Sequence, residues 1–220
     1  MRLFILIFVY FISVFIVLSQ ANYPPSIGLE LGMKAGISVI QTPIGRQNAI
    51  EISSLPDIGI VGYYPISETS PLGINIKLDY NNYSYGMKDF GTGQVYKQSM
   101  SYISFNPSIY FNGIIFGFGV GFPVSANYDG NSIDIGIINT LYDLRFGYSY
   151  DIFYDESARL SISLIGSYML NGVINDFDKN DPFELIIPQV ENYDINNSHN
   201  PRAAGIYLGI SYHYLFIEEK

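Results

Sequence analysis

Along most of the chain after residue 21, apolar and polar positions alternate with a period of two. From residue 114 to residue 126, the even positions are bulky and apolar, whereas the odd positions from Gly117 onward are mostly Gly or Ser. The same division between alternate positions recurs from residue 27 to residue 39. Because successive side chains of a strand point to opposite faces, this period predicts β-strands that each have one apolar face. The 3.6-residue period typical of helices is not evident.

Applied along the chain, this pattern predicts eight strands. They fall near residues 27–40, 56–66, 72–85, 100–111, 114–128, 133–150, 158–171 and 203–217. Long connections at 41–55, 86–99 and 172–202 alternate with short ones at 67–71, 112–113 and 151–157. A connection of modest length, 129–132, lies between the last two short ones. Asn112-Gly113 is a strong hairpin signal, since both turn positions require a positive φ. Short turns at one end and long loops at the other are typical of outer-membrane barrels.

The number of bulky residues indicates which face lies outside. The apolar faces carry roughly five or six bulky residues per strand, which suits a lipid-facing belt and exceeds what the interior of an eight-stranded barrel can hold. We therefore expect the apolar face to point into lipid and the sheet to close, because every backbone polar group must be paired there. The alternative is a soluble lipocalin-like barrel that binds an apolar ligand, in which the face with Phe116, Phe118, Val120 and Phe122 would point inward.

Aromatic residues cluster toward the ends of the predicted strands, where amphipathic rings prefer the headgroup level of a membrane. This placement predicts two aromatic girdles. The residues assigned to them are Tyr63, Tyr64, Tyr80, Tyr83, Tyr85, Tyr110, Phe111, Phe122, Tyr128, Tyr148, Tyr150, Tyr212, Tyr214 and Phe216.

The amino-terminal residues predict export. Arg2 is followed by an apolar run from Leu3 to Leu18 and by small residues around Ala21, which is typical of a cleavable signal peptide. We expect residues 1–21 to be the signal and residues 22–220 to form one barrel domain. The mature part holds ten Lys and Arg against twenty Asp and Glu, which disfavours nucleic acid as a partner. The absence of Cys excludes disulfides and thiolate metal sites.

This combination of signal, alternation and loop asymmetry resembles the eight-stranded outer-membrane barrels of the OmpA transmembrane-domain and OmpX type. The final strand, Ile206 to Phe216, is similar to the aromatic-rich signal that the barrel insertion machinery reads in that family, although Ile217 to Lys220 extend beyond it. The resemblance implies an antiparallel up-and-down transmembrane barrel in the bacterial outer membrane, with short periplasmic turns and longer extracellular loops. It also implies outer-membrane lipid and the insertion machinery as partners.

Charged residues on the non-lipid face include both signs, so they can neutralise one another inside the barrel. We expect a structural network of paired charges there, and the alternative is a path for protons or ions. The predicted interior residues are Glu30, Lys34, Lys77, Asp79, Asp143, Arg145, Arg159 and His213.

Two further motifs suggest chemistry but depart from what that chemistry requires. Ser211 and His213 share a strand face, as a hydroxyl and its base do in lipid-modifying barrels, but the order is reversed and both are predicted to face inward. The acidic stretch from Asp176 to Asn180 is similar to the start of a calcium loop, but Asp181 stands where that loop needs Gly. We therefore predict no catalytic, cofactor or metal site.

The sequence thus favours a non-enzymatic outer-membrane barrel with a structural or surface-interaction role through its loops. Three alternatives remain open at this point: a narrow porin-like pore, a lipid-modifying enzyme and a soluble lipocalin-like barrel. The ligand or partner that the loops contact is not evident from the residues.

Overall fold

The structure is a computed structural model that describes residues 23–40, 42, 45–66, 71–175 and 200–216. The predicted signal peptide and most of the acidic loop, including the calcium-like stretch, lie outside these residues. The described residues contain no helix that is long and apolar enough to cross a membrane.

Ten strands and one short 3-10 helix make up the described fold. The strands are β1 (Ser26–Ser38), β2 (Arg46–Ile52), β3 (Asp57–Pro65), β4 (Leu72–Asp89), β5 (Val95–Phe111), β6 (Ile114–Tyr128), β7 (Asn131–Ser132), β8 (Leu141–Tyr154), β9 (Ala158–Met169) and β10 (Ala203–Leu215). The 3-10 helix, Ile135–Ile137, lies between β7 and β8.

The strands close into an antiparallel barrel. β1 pairs with β10 along its whole length, from Ser26 opposite Leu215 to Ser38 opposite Ala203. The ring then continues through β2 and β3, β4, β5, β6, β8 and β9 back to β10. Because β2 and β3 share one place in the ring, the barrel has eight members, and the predicted eight-stranded up-and-down architecture is confirmed. Closure leaves the wall without an unpaired edge strand.

The second member of the ring is interrupted between β2 and β3. Ile50 faces Tyr85 and Ile58 faces Tyr80, so the chain uses three more residues than β4 to cover the same distance. The extra residues form an excursion from Ser53 to Pro56, which we call the wall excursion. Ser53 still donates its backbone N–H to the Lys34 carbonyl at 2.8 Å, so the excursion stays attached to β1.

Three predicted connections differ from the structure. The predicted loop at 86–99 is wrong, because β4 and β5 form a tall hairpin that leaves only residues 90–94 as a turn. The predicted loop at 41–55 contains β2. The strand predicted to start at residue 133 begins only at Leu141, because Asp134 accepts a hydrogen bond from the Gly136 N–H at 2.9 Å and caps the 3-10 helix.

The Asn112-Gly113 turn is confirmed. Asn112 and Gly113 have φ values of 48° and 83°, which is the positive-φ pair that a two-residue hairpin requires. This turn lies at the same end of the barrel as Tyr23, Phe216 and the connection from Asp155 to Ser157. We call this the short-turn end, and the opposite end the long-loop end.

The apolar faces of the strands point outward. Phe116 is 55% exposed and Phe122 is 62% exposed, which contradicts the soluble lipocalin-like alternative, since that alternative needs this face inside. On β4 the outward apolar set runs from Leu72 to Tyr80. Eight steps of about 3.4 Å on a strand tilted by about 40° span about 21 Å, close to the apolar band of known outer-membrane barrels.

Candidate functional site

Most of the buried polar and charged side chains of the strands lie in the lumen of the barrel. The side chains that fill the lumen form three layers. All eight residues of the predicted interior network point inward along their strands. Six of them meet at mid-height, and Arg159 and His213 lie nearer the short-turn end. The mid-height residues are Glu30, Lys34, Lys77, Asp79, Asp143 and Arg145.

Lys77 is the centre of one half of the middle layer. Its Nζ lies 2.6 Å from Glu30 Oε1 and 3.0 Å from Asp79 Oδ2. The hydroxyl of Tyr207 donates to the same Glu30 oxygen at 2.7 Å, and Asn106 donates to Asp79 Oδ1 at 2.7 Å. A buried charge is tolerated when ion pairs and hydrogen bonds surround it in this way.

Arg145 and Lys34 hold the other half of the middle layer. The Arg145 guanidinium lies 3.1 Å from Asp143 Oδ2, and Tyr83 donates its hydroxyl to the same oxygen at 2.6 Å. Lys34 Nζ lies 3.0 Å from Asp57 Oδ2 and 3.8 Å from the centre of the Tyr83 ring. Each cation of the layer therefore has a carboxylate partner.

Glycine on the lumen face makes room for this layer. The ring of Tyr207 lies against the wall where Gly32 pairs with Gly209. A Cβ at Gly32 would come within 2.4 Å of the ring and one at Gly209 within 2.3 Å of the hydroxyl, so a larger residue at either position would displace Tyr207. The small face that alternates with the apolar face is thus the space in which the large lumen side chains lie.

A cavity of about 50 Å³ lies beside the middle layer, lined in part by Glu30, Lys77 and Arg145. Asn75 Oδ1 and Asn106 Oδ1 are buried beside it and have no hydrogen-bond partner among the described residues. The cavity has room for a few water-sized molecules, which could satisfy these oxygens.

The lower layer closes the short-turn end with aromatic rings. The rings of Tyr23, Tyr63 and Tyr110 pack edge to face, with centroids 5.5 to 6.0 Å apart. Arg159 lies over all three rings, 4.3 Å from the centroid of Tyr23, and its nearest carboxylate is Asp151 at 3.9 Å. Tyr23 donates its hydroxyl to Asp151, so the segment before β1 is held inside the barrel.

The upper layer closes the long-loop end with apolar side chains. Tyr83, Tyr85 and Tyr102 are fully buried among Met100, Met169 and Leu141. Two connecting segments fold over them and add Ile138, Val173 and Ile174 to the same cluster. Backbone hydrogen bonds of 2.7 Å from Asn139 to Val173 and 2.8 Å from Val173 to Pro201 join these segments into a lid.

Comparison with known proteins shows distant likenesses of fold. No family model and no curated protein sequence matches the chain. The solved structure of outer membrane protein OprG from Pseudomonas aeruginosa is similar at 12% identity and a TM-score of 0.44, covering 90% of this chain and 99% of that chain.

Two further solved structures show the same level of likeness. Outer membrane protein AlkL in lipid bilayers has 10% identity and a TM-score of 0.40, with 91% of this chain and 96% of that chain covered. Outer membrane protease OmpT from Escherichia coli has 11% identity and a TM-score of 0.31, with 90% and 100% covered. None of these likenesses assigns a role to a residue of this chain.

Five tyrosines that the sequence placed in the aromatic girdles lie inside the barrel, so that prediction is wrong for them. The same alternation that put Lys77 and Asp79 inside also puts Tyr83 and Tyr85 inside, because all four are odd positions of β4. The tyrosines concerned are Tyr63, Tyr83, Tyr85, Tyr110 and Tyr128. They form most of the aromatic part of the upper and lower layers.

Several lumen residues were missed by the sequence reading. Asp57, Asn106 and Tyr207 complete the middle layer and are buried on inward positions of β3, β5 and β10. Extending the period of two through Asp57, Gly59 and Val61 would have found the first of them.

Ser211 and His213 both lie on the lumen side and are almost fully buried. His213 Nδ1 is 3.2 Å from Ser26 Oγ, so the hydroxyl beside this imidazole is not the one that the motif suggested. In the described part of the chain, no group of three or more His, Asp or Glu side chains could hold a metal ion.

Proposed function

We propose that the mature chain spans the bacterial outer membrane as a closed barrel with a filled lumen, and that it acts without catalysis as a structural or surface-interaction protein. The observation that carries this proposal is the distribution of side chains around one closed sheet. Apolar residues cover the outside over a height of about 21 Å, and charged residues are paired inside. In water this arrangement would expose its apolar belt, whereas a membrane covers it.

The filled lumen supports the proposal that the protein does not conduct ions. A continuous water path would have to pass the tyrosine cage around Arg159, the paired charges at mid-height and the upper apolar layer. The interior of an eight-stranded barrel is just wide enough for side chains to fill, so these layers leave little room for a water path. This disfavours the porin-like alternative.

The position of Ser211 and His213 supports a role without catalysis. A lipid-modifying enzyme must present its nucleophile and base to the substrate, and both residues are enclosed by the barrel wall. The long-loop end is then the part best placed to contact partners, since binding residues commonly lie on connections held by a rigid scaffold. We place that end outside the cell and the short turns in the periplasm.

The outer surface of β10 supports insertion by the barrel insertion machinery. Ile206, Leu208 and Ile210 are followed on the same outward face by Tyr212 and Tyr214. This strand also closes the ring against β1, so its pairing completes the barrel.

The first test is whether folding requires an amphiphile. We expect the mature chain, refolded into phosphatidylcholine vesicles, to be rich in β-structure and to migrate differently on electrophoresis before and after boiling. A chain that folds as a monomer in plain buffer would overturn the membrane proposal.

The second test is conductance across a planar bilayer. We expect the wild type to pass no resolvable current, because all three layers are in place. Replacing Tyr23, Tyr63 and Tyr110 by Ala removes only the lower layer, and replacing Tyr85 and Tyr102 by Ala loosens only the upper one, so neither variant alone should conduct. Steady channels from the wild-type chain would contradict the proposal.

A further inference from the structure

Above the apolar belt, the outer surface of β4, β5 and β6 becomes polar. The change occurs above Tyr80 on β4, above Ile103 on β5 and above Val124 on β6, where Val124 lies in a β-bulge and is 41% exposed. The next outward positions on the long-loop side are occupied by hydroxyl and amide side chains. They are Asn82, Ser84, Ser99, Ser101, Ser125 and Asn127.

A groove of about 400 Å³ lies over this polar surface. Ser54 and Leu55 of the wall excursion form one side, and Asp129 and Gly130 of the turn after β6 form the other. The wall excursion is held in place because Asn82 donates its side-chain amide to the Pro56 carbonyl at 2.8 Å. The volume is within the range of small-ligand sites in proteins.

The polar groups of the groove divide into two sets. One set holds the walls together: Ser101 donates to Asn82 Oδ1 at 2.7 Å, and Lys97 donates to the Ile52 carbonyl and to Ser54 Oγ at 3.0 Å each. The other set has no side-chain hydrogen bond within the described residues and consists of Ser84, Ser99, Ser125 and Asn127. Ser84 belongs to this set although only 1% of its surface is exposed.

The chemistry of the groove matches sugar hydroxyls. Hydroxyl and amide side chains offer both donors and acceptors, as sugars do. Lys97 and Asp129 have opposite charges, and Lys97 lies 3.9 Å from Glu51, so the lining offers no cluster of free cations for a phosphate. Ile103 and Phe122 stay exposed directly below, where acyl chains attached to the sugar would lie.

From this juxtaposition we infer that the groove binds the saccharide headgroup of an outer-leaflet glycolipid, whose acyl chains lie along the belt below. The inference rests on the membrane placement proposed above. Ser99, Ser125 and Asn127, which are half-buried, recognise the sugar, and the wall excursion limits how far the sugar extends toward β2.

The test uses lipopolysaccharide without O-antigen, with its phosphate groups removed, as the probe. Native mass spectrometry of the mature barrel in phosphatidylcholine nanodiscs is the readout. We expect one molecule of glycolipid to remain bound to the wild type. Ser99→Tyr combined with Ser125→Tyr fills the groove and should weaken binding at least tenfold. Gln94→Tyr adds the same side chain at an exposed position of the same end, outside the groove, and should bind like the wild type.

A second double variant, Ser99→Ala with Ser125→Ala, removes the hydroxyl groups without adding bulk and should weaken binding severalfold. Phosphatidylglycerol in place of the glycolipid should show no dependence on either pair. The inference fails if both double variants bind as the wild type does, or if phosphatidylglycerol binding falls in parallel. A barrel that remains heat-modifiable but binds no glycolipid overturns this inference alone, whereas folding in plain buffer overturns the membrane placement.

Discussion

Asp57 joins β3 to β4 across the break in the second barrel strand, since its Oδ1 accepts a hydrogen bond of 2.7 Å from the backbone N–H of Asn82. Its other oxygen, Oδ2, lies 3.0 Å from Lys34 Nζ. A single buried carboxylate therefore replaces a missing ladder bond and neutralises a cation of the middle layer.

Asp57→Ala should lower the free energy of unfolding by about 3 kcal/mol or more, because it leaves Lys34 as an uncompensated buried charge. Urea unfolding of the barrel in vesicles measures this loss. Asp57→Leu combined with Lys34→Met removes both charges and should recover a large part of it. Equal losses in the single and double variants would show that the ion pair does not matter for stability.

Gly113→Ala should destabilise the barrel more than Gly93→Ala does. Both glycines have positive φ, which costs a residue with a Cβ about 1 to 2 kcal/mol. A Cβ at Gly113 would also lie 2.6 Å from the Ser149 carbonyl oxygen, whereas nothing lies within 4 Å of one at Gly93. The difference between the unfolding free energies of the two variants measures the cost of the contact with the Ser149 carbonyl. Equal values would mean that the backbone near Ser149 shifts at little cost.

Asp155 should stabilise the turn between β8 and β9 in a pH-dependent way. The backbone N–H groups of Ser157 and Ala158 donate to its Oδ1 and hold the pKa of Asp155 below its usual range. A lowered folded-state pKa adds stability above about pH 4, and this stability is lost as the pH falls through the lowered pKa.

Asp155→Ala should therefore lower the melting temperature at pH 7, and the difference from the wild type should shrink toward pH 3. Thermal unfolding followed by circular dichroism at both pH values tests this. Glu156→Ala changes a neighbouring exposed carboxylate and serves as the control. A constant difference across the pH range would rule out the carboxylate as its source.

Asn200→Ala should loosen the lid at the long-loop end. The Asn200 side chain accepts from the Ile174 N–H at 3.0 Å and donates to the Ile174 carbonyl at 2.7 Å, so one amide satisfies both backbone groups. Losing them costs roughly 1 to 2 kcal/mol, about tenfold in local opening. Hydrogen exchange at the Ile174 amide should become about tenfold faster, while Asn127→Ala, which changes an outward side chain, should leave it unchanged.

The sequence predicted the inward or outward direction of side chains more accurately on some parts of the strands than on others. On β4, the alternation correctly put Ile74 and Ile76 outside and Lys77 and Asp79 inside. It was not applied to Tyr83 and Tyr85, because aromatic residues near strand ends suggested a membrane interface. The period was the better guide, since the direction of a side chain on a strand follows from its position and not from its residue type.

The alternation of apolar and polar residues could not predict the lid or the interruption between β2 and β3. Residues 133–138 alternate as a strand would, but Ile138 is drawn into the upper apolar layer, where it packs against residues distant in the chain. Likewise, no local sequence feature predicts the wall excursion. Its extra residues can be recognised only from the pairing of β2 and β3 with β4.

The sequence by itself determined which residues face outward and inward wherever the period of two runs unbroken, where the tight hairpin turns, and that the outer surface is apolar. These are local properties, set by the period of a strand and by the φ values that a turn requires. Beyond the β-bulge of β6, Ser125 faces outward and Ala126 inward, opposite to the alternation. The tertiary structure decided which inward residues meet. Tyr83 reaches Asp143 across 60 residues and Tyr207 reaches Glu30 across 177. Such contacts depend on the register of every intervening strand pair, which alternation alone leaves open.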